Sequence, residues 1–536
     1  MTGLVEKKIA ENKNDQLTYH VLQQLQLAGV RDICMCPGGR NTPFVEALEG
    51  TEIFNVFYWP EERSAAFFAL GRSKLTHLPT AVITTSGTAV GELLPAAMEA
   101  YYAGIPLLLL TADRPRRFRG SGAPQTAEQV GLFGQYAVFE QDLEADEICN
   151  LTDWKKIGVA HLNVCLEEPV ASIFSHKKRM DEDRPRSFIE ENTDDTLMMD
   201  ALDTFLEESR YPFVIVGAIP ENSRENIIHF LMEYGAPVYL EAISGLREEG
   251  RLKDIRILCA DHIRRMSAQA GYPLDGVLRI GGVPTFRFWR DLENLQGRLK
   301  VCSISHLPFS GLSWGSVCQV NLQKFFTHYL VKKNSSNDSK DWLKIDQNSH
   351  QSLLTLLQQE PSSEAACVHQ LSKIIPPESL IYLGNSLPIR EWDAFASYEI
   401  YHPHVFASRG LNGIDGQLST FFGMCTQKFP NWGIVGDLTT LYDLAAPWIL
   451  EQLSHVDINL VVINNGGGKI FERMFPNKKI QNRHQIQFKS LAELWNMRYV
   501  YYTQLPEDIP YGGHRLIEIR PDEESTTRFW NRLVNI

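Results

Sequence analysis

The sequence predicts an α/β protein built from three doubly wound parallel-sheet domains, and three observations carry that expectation. Short apolar runs ending in Gly, Ser, Asn or Asp alternate with longer amphipathic stretches, as strands buried on both sheet faces do. Two polar stretches, "SHKKRMDEDRPRSFIEENTDDT" (175–196) and "KKNSSNDSKDW" (332–342), part the chain into three blocks. The first and third blocks also resemble one another in layout. Domains are therefore expected over residues 1–180, 195–335 and 345–536.

The expected strands follow in order. The first block contributes "RDICMCPGG", "TAVITTSG" and "IPLLLLTADRP", and the second "YPFVIVGAIP" and "GVLRIGGVP". The third contributes "SLIYLGNS", "NWGIVGD" and "INLVVINN". Ligands of such sheets bind beyond the carboxyl ends of the strands, where these runs place their polar residues.

Composition narrows the function. With 536 residues, 44% hydrophobic and 22% charged, the chain is long enough for several proper cores. A formal charge of −13 argues against nucleic acid or an anionic membrane as the main partner. An anionic substrate would then need local arginine clusters. Nine scattered cysteines lack zinc or redox spacing, and no run is apolar and long enough to span a bilayer. The N-terminal sixteen residues show no signal-peptide core, so a cytoplasmic location is expected.

In the third block "GIVGD" delivers Asp437 at a strand tip, and a second run delivers Asn465 before "GGG" (466–468). A hard cation such as Mg2+ takes oxygen ligands from one or two carboxylates, completed by phosphate and water. Asp437 offers charge, Asn465 a neutral side-chain oxygen, and a carbonyl near Gly467 a further ligand. The glycines would let phosphates approach backbone amides. The same residues also read as a strand-end turn and a loop. In the first block "YWPEERSAAFFALGRSK" places Glu62 after an aromatic run and before an apolar helix. Glu62 is either a helix-start acid opposing the dipole or a carboxyl in a dry place with a raised pKa, and both can hold together.

With these residues in hand the chain resembles one family of thiamine-diphosphate enzymes, the 2-succinyl-5-enolpyruvyl-6-hydroxy-3-cyclohexene-1-carboxylate synthases. "CPGGRNTPFVEAL", "EERSAAFFALGRSK" and "TTSGTAVGELLPAAMEAYYAGIPLLLLTADRP" carry the likeness in the first block, with "GAPQTAEQVGLFG". "GNSLPIREWD", "SRGLNGIDGQLSTFFG" and "NNGGGKIF" carry it in the third. The middle block matches through "PVYLEAISGLR" and "LRIGG" only. The resemblance implies the thiamine-diphosphate-enzyme fold, with that cofactor and Mg2+ or Mn2+ bound. It implies decarboxylation of 2-oxoglutarate and conjugate addition of the succinyl carbanion to isochorismate, in menaquinone or phylloquinone biosynthesis. It also implies a homodimer or homotetramer with active sites at the subunit interface.

Residue by residue, the resemblance gives Glu62 the role of priming the cofactor's aminopyrimidine. It assigns Gly436, Asp437, Leu438, Asn465, Gly467 and Gly468 to the diphosphate end, with Asp437, Asn465 and Gly467 on the metal. Leu438 stands where many members have Gly. Ile414 would prop the cofactor into its bent shape, and Ile470 and Phe471 would line the pocket above the thiazolium. Arg390 and Arg409 would hold the succinyl carboxylate, and Ser386 would add a neutral hydrogen bond. Arg40, Arg114 and Gln125 would lie closer to isochorismate, joined by Arg287 from "GGVPTFRFWR", where the family tends to have two adjacent basic residues. Gly39 stands where the family usually has Ser. Lone arginines at strand ends also occur as solvated surface groups. Two other readings stay open beside this one: another thiamine-dependent 2-oxo acid decarboxylase or carboligase, and a non-catalytic relative. A dinucleotide dehydrogenase is disfavoured, because no G-x-G-x-x-G joins a strand to a helix.

Overall fold

The computed structural model describes residues 2–168, 196–259, 263–331, 339–475, 477–510 and 512–534. The two expected linkers fall largely outside the described residues, which exclude 169–195 and 332–338. No described helix is long and apolar enough to cross a membrane.

The described residues form three wholly parallel sheets. The first holds β1 (Asp32–Met35), β2 (Asn55–Tyr58), β3 (Thr80–Thr84), β4 (Leu107–Asp113), β5 (Ala137–Leu143) and β6 (Val159–Cys165), in the order β2-β1-β3-β4-β6-β5. The second holds β7 (Pro212–Val216), β8 (Val238–Leu240), β9 (Gly276–Ile280), β10 (Lys300–Ser305) and β11 (Cys318–Gln319), in the order β11-β10-β9-β7-β8. The third holds β12 (Leu380–Leu383), β13 (Val405–Phe406), β14 (Asn431–Gly436), β15 (Ile458–Ile463), β16 (Arg498–Tyr502) and β17 (His514–Ile519), in the order β13-β12-β14-β15-β17-β16. Counted from its own first strand, the third sheet repeats the order of the first. The likeness of layout between the two blocks is thus a likeness of topology.

The continuous apolar runs are the central strands. β3, β4, β7, β9, β12 and β15 are buried at every residue, because helices cover both faces of the sheets. The chain forms two compact units. One comprises Met1–Glu190 with Gly410–Cys425 and Thr439–Ser454, and it carries the first sheet. The other comprises Glu191–Arg409, Thr426–Leu438 and His455–Ile536, and it carries the second and third.

Within the first unit the helix Glu62–Thr76 packs against the helix Gln417–Met424 at backbone contact. A Cβ on Gly71 would stand 2.2 Å from the Thr420 carbonyl oxygen, and one on Gly423 would stand 2.1 Å from that of Phe68. Only glycine permits so close an approach.

Candidate active site

Helix Glu62–Thr76 begins with two glutamates that divide the two roles left open by the sequence. Glu61 is the N-cap, and its carboxylate accepts from the amides of Arg63 (3.2 Å) and Ser64 (2.8 Å). Glu62 is thereby left for other work. It is half-buried and lines a cavity of about 500 Å3 with Glu61, Thr85, Ser86, Glu92 and Gln125. Burial pushes its carboxyl up from the usual range, against the helix amide that stabilises the anion. Glu61 and Glu92 add repulsion in the same upward direction.

The carboxyl ends of β1 and β3 build the neighbouring wall at the switch point of the first sheet. The Arg40 amide donates to Thr85 Oγ1 at 3.3 Å. Gln125 sits in the left-handed region (φ +54°), with its Cα 3.3 Å from where a Gly87 side chain would start. A non-glycine residue held there marks a conformation imposed by its surroundings. The buried Arg40 side chain donates to the Leu166 carbonyl (3.1 Å) and to Glu168 Oε2 (2.7 Å). Arg114 Nη1 lies 3.7 Å from the same Glu168 oxygen. Two arginines of the expected set therefore converge on one carboxylate. Glu99 is nearly buried and accepts from the amides of Gly410 and Leu411, each at 2.7 Å. It fixes the loop that carries the half-buried Ile414.

In the second unit Asp437 stands at the tip of β14, and Asn464 and Asn465 follow the adjacent β15. The two asparagines do different things. Asn464 is structural, donating to Glu518 Oε1 (2.6 Å) and the Ile486 carbonyl (2.8 Å). Asn465 directs its amide nitrogen to both oxygens of Glu364, at 2.9 and 3.1 Å. Its Oδ1 is buried and has no hydrogen-bond partner among the described residues. Such an orphan acceptor costs free energy unless something fills its coordination.

Asp437 is 3% exposed and accepts from the amides of Leu438 (2.6 Å), Gly466 (2.8 Å) and Gly467 (2.9 Å). His484 Nε2 stands 3.2 Å from its Oδ2. Burial pushes its carboxyl up, and the amides and His484 oppose this. The glycine loop departs from the sequence expectation in one respect. The amides of Gly466 and Gly467 are spent on Asp437, and that of Gly468 on the Gln481 carbonyl (2.5 Å). The carbonyls of the same glycines also accept, Gly466 from the His484 amide (3.1 Å), Gly467 from that of Lys469 (2.8 Å) and Gly468 from that of Phe471 (3.1 Å). Gly467 has φ +137°, and a Cβ there would stand 2.6 Å from the Gln481 carbonyl oxygen. The half-buried Gly436 and Leu438 flank Asp437, and Ile470 and Phe471 lie half-buried on the short turn Lys469–Phe471.

Behind Asn465, Glu364 and Glu391 are both buried carboxyls. Burial pushes both upward, Glu364 to about 7; the charge of Asp437 adds to this at Glu364, and that of Glu364 adds to it at Glu391.

The helix Leu387–Phe395 begins at Ser386, held at φ +76°, and Arg390 Nη1 donates to the Ser386 carbonyl at 2.6 Å. Burial pushes the Arg390 pKa down, and the charge of Arg290 adds to this. Arg409 Nη1 donates to Asn385 Oδ1 at 2.8 Å. Arg287 has a side chain 75% exposed and pairs with Asp291 at 3.4 Å. Of the basic residues on its short helix, Arg290 is the one whose charge is felt at Arg390.

Sequence reasoning missed Glu61 as the cap, and it missed Glu364, Glu391 and His484. Glu364 follows a capping serine and reads as an ordinary helix-start acid, while "QNRHQIQF" around His484 carries no periodic signal.

Residues 16–132 match the family described as thiamine pyrophosphate enzyme, N-terminal TPP binding domain. A 2-succinyl-5-enolpyruvyl-6-hydroxy-3-cyclohexene-1-carboxylate synthase of Bdellovibrio bacteriovorus is 41% identical, covering 96% of this chain and 98% of its own. The Akkermansia muciniphila protein of the same name is 38% identical over the same shares. An X-ray structure described as a thiamin diphosphate-dependent enzyme from Mycobacterium smegmatis superposes with a TM-score of 0.66 at 15% identity, covering 95% of this chain and 99% of that one, which is a likeness of fold. The chain therefore belongs to the 2-succinyl-5-enolpyruvyl-6-hydroxy-3-cyclohexene-1-carboxylate synthase family of thiamine-diphosphate-dependent enzymes.

Proposed function

We propose that the protein is a transferase that decarboxylates 2-oxoglutarate and adds the succinyl unit to isochorismate by conjugate addition. CO2 leaves, and the product is the cyclohexene carboxylate of the family's name, a step of menaquinone or phylloquinone biosynthesis. The single observation that carries this reading is the 41% identity along 96% of the chain to a relative of that name. When bound, thiamine diphosphate supplies a carbon nucleophile and an electron sink for the 2-oxo acid.

This chain's residues supply the rest. Glu62, whose carboxyl burial pushes upward, would hydrogen-bond the cofactor's pyrimidine nitrogen. Asp437, the orphan Oδ1 of Asn465 and the Gly467 carbonyl would hold a divalent cation, Mg2+ or Mn2+, against the diphosphate. Ile414, Ile470 and Phe471 would shield the reacting end from water, which favours loss of a charged carboxylate as neutral CO2. Arg390 and Arg409, with Ser386, would grip the distal carboxylate of 2-oxoglutarate. Arg40 and Arg114, already gathered around the Glu168 carboxylate, would take a carboxylate of isochorismate, with Gln125 beside them and Arg287 at the rim. Glu62 and Asp437 would meet across a subunit interface, making the working form a homodimer or homotetramer.

The test is reconstitution. Purified protein is incubated with thiamine diphosphate, Mg2+, 2-oxoglutarate and isochorismate, and isochorismate absorbance is followed. The reading expects a loss that requires all four additions. CO2 release that proceeds equally well without isochorismate, with no loss of the acceptor, would favour a simple decarboxylase.

A further inference from the structure

Beyond the carboxyl ends of two strands of the middle sheet, three polar residues from separate segments meet in the interior. Glu241 follows β8, Thr285 lies beyond β9, and Asp393 sits on the helix Leu387–Phe395, three residues after Arg390 and so on the same helical face. Glu241 is fully buried and Asp393 is 4% exposed. Glu241 Oε1 accepts from the Thr285 amide at 2.5 Å and is also in contact with the Thr285 hydroxyl. That hydroxyl lies 3.1 Å from Asp393 Oδ2, and Asp393 Oδ1 accepts from the Ala242 amide at 2.7 Å. Glu241 Oε2 has no partner among the described residues.

A hydroxyl carries one proton and can donate to only one of two carboxylates. Both contacts are satisfied together only when one of the carboxyls is itself protonated. The pair then carries one negative charge instead of two. Arg390, Arg409 and Arg247 contribute the positive charges that act on this cluster, and the Tyr239 phenol lies beside it. Arg247 is already committed to Glu248 (2.8 Å) and to three backbone carbonyls at the end of the Arg390 helix. With one charge on the acid pair, Arg390 and Arg409 keep a net positive field. With two, the field is cancelled before any substrate arrives.

We propose that Glu241 and Asp393 form a positioning pair for the anionic substrate: sharing one proton through Thr285, the two acids keep the charge of Arg390 and Arg409 available for a carboxylate of the 2-oxo acid. This rests on the reading of those two arginines as the succinyl-carboxylate grip. Burial, then the charge of Asp393, pushes the Glu241 carboxyl up to about 8. Its proton is therefore present at neutral pH and lost as pH rises through that value. Ionisation places a like charge in competition with the incoming carboxylate.

The experiment uses the holoenzyme with thiamine diphosphate and Mg2+, titrated calorimetrically with glutarate, an unreactive dicarboxylate of the right length, from pH 6.5 to 9.5. The native protein is expected to bind about tenfold more weakly per pH unit above the transition, with proton uptake on binding there. Glu241→Gln, which mimics the neutral acid, should flatten the profile and abolish the uptake. A flat native profile, or a Glu241→Gln profile that keeps the native slope, overturns the proposal. Arg390→Ala distinguishes the underlying reading. If it leaves glutarate affinity intact, the carboxylate grip is misplaced; if it weakens glutarate while Glu241→Gln changes nothing, only the role of Glu241 falls.

Discussion

Replacing Glu61 and Glu62 separately tests the division of labour at the start of the helix Glu62–Thr76. Glu61 makes two capping bonds, at 3.2 and 2.8 Å, to amides that have no partner inside the helix. Losing such a cap typically costs ~1 kcal/mol. Glu61→Ala should therefore lower the thermal midpoint, while Glu61→Asp or Glu61→Ser should recover most of the loss. Glu62 contributes nothing to that cap, so Glu62→Gln should leave the midpoint near native. Its turnover should fall by roughly 10²- to 10⁴-fold, the usual range for a positioned proton-transfer group. Removing the Glu61 charge also takes away a repulsion that raises the Glu62 pKa, so the pH–rate profile of Glu61→Ala should shift toward lower pH. The assays are differential scanning fluorimetry and initial rates across pH on the same preparations. Full turnover in Glu62→Gln, or a stability loss in that variant equal to that of Glu61→Ala, would refute the assignment.

Other expectations follow from the remaining distances. Asn465→Ala removes the orphan oxygen and strands Glu364. It should weaken Mg2+-dependent uptake of thiamine diphosphate at least tenfold in a fluorescence titration, while cofactor-free folding survives. Arg390→Ala should raise the KM for 2-oxoglutarate more than that for isochorismate, and the opposite pattern would exchange the two subsites. Gly71→Ala forces a methyl to 2.2 Å from a backbone oxygen, so a loss of about 1–3 kcal/mol is expected from chemical denaturation. The raised Glu241 gives a signed pH effect on stability. Above neutrality the unfolded chain binds fewer protons at this site than the folded one, so stability present below pH 4.5 is lost as pH rises through about 8. The native protein should lose stability relative to Glu241→Gln between pH 5 and 8, measured by denaturant midpoints.

Strands buried on both faces were legible because nothing polar interrupts them: "LLLL" in β4 and "INLVVI" in β15 need no partner to be recognised. β6 is equally buried but reads "VAHLNVC", and its His161 and Asn163 are tolerated only through tertiary contacts. His161 bonds Glu140 (2.7 Å) and Thr111 (2.8 Å), and Asn163 bonds Asp113 and Asp142. A local reading cannot supply those partners. The short edge strands β11 and β13, two residues each, carry no period at all. At the site, Asp437 and Asn465 were legible because each ends an apolar run and so must lie at a sheet's carboxyl edge. Glu364, His484 and Glu241 were not, since each acts through neighbours from distant segments. Arg290 shows the limit of motif transfer: three residues beyond Arg287, on a short helix, it is the basic group whose charge reaches Arg390.

Subunit complementation tests the two-protomer site most directly. Glu62→Gln and Asp437→Ala are each prepared as inactive proteins, mixed, and allowed to exchange subunits. If Glu62 of one protomer works with Asp437 of the other, half the sites in each mixed dimer are intact, and about a quarter of native activity should return after random exchange. If both residues serve a site within one protomer, no mixed dimer holds an intact site, and activity would stay at the level of the parents.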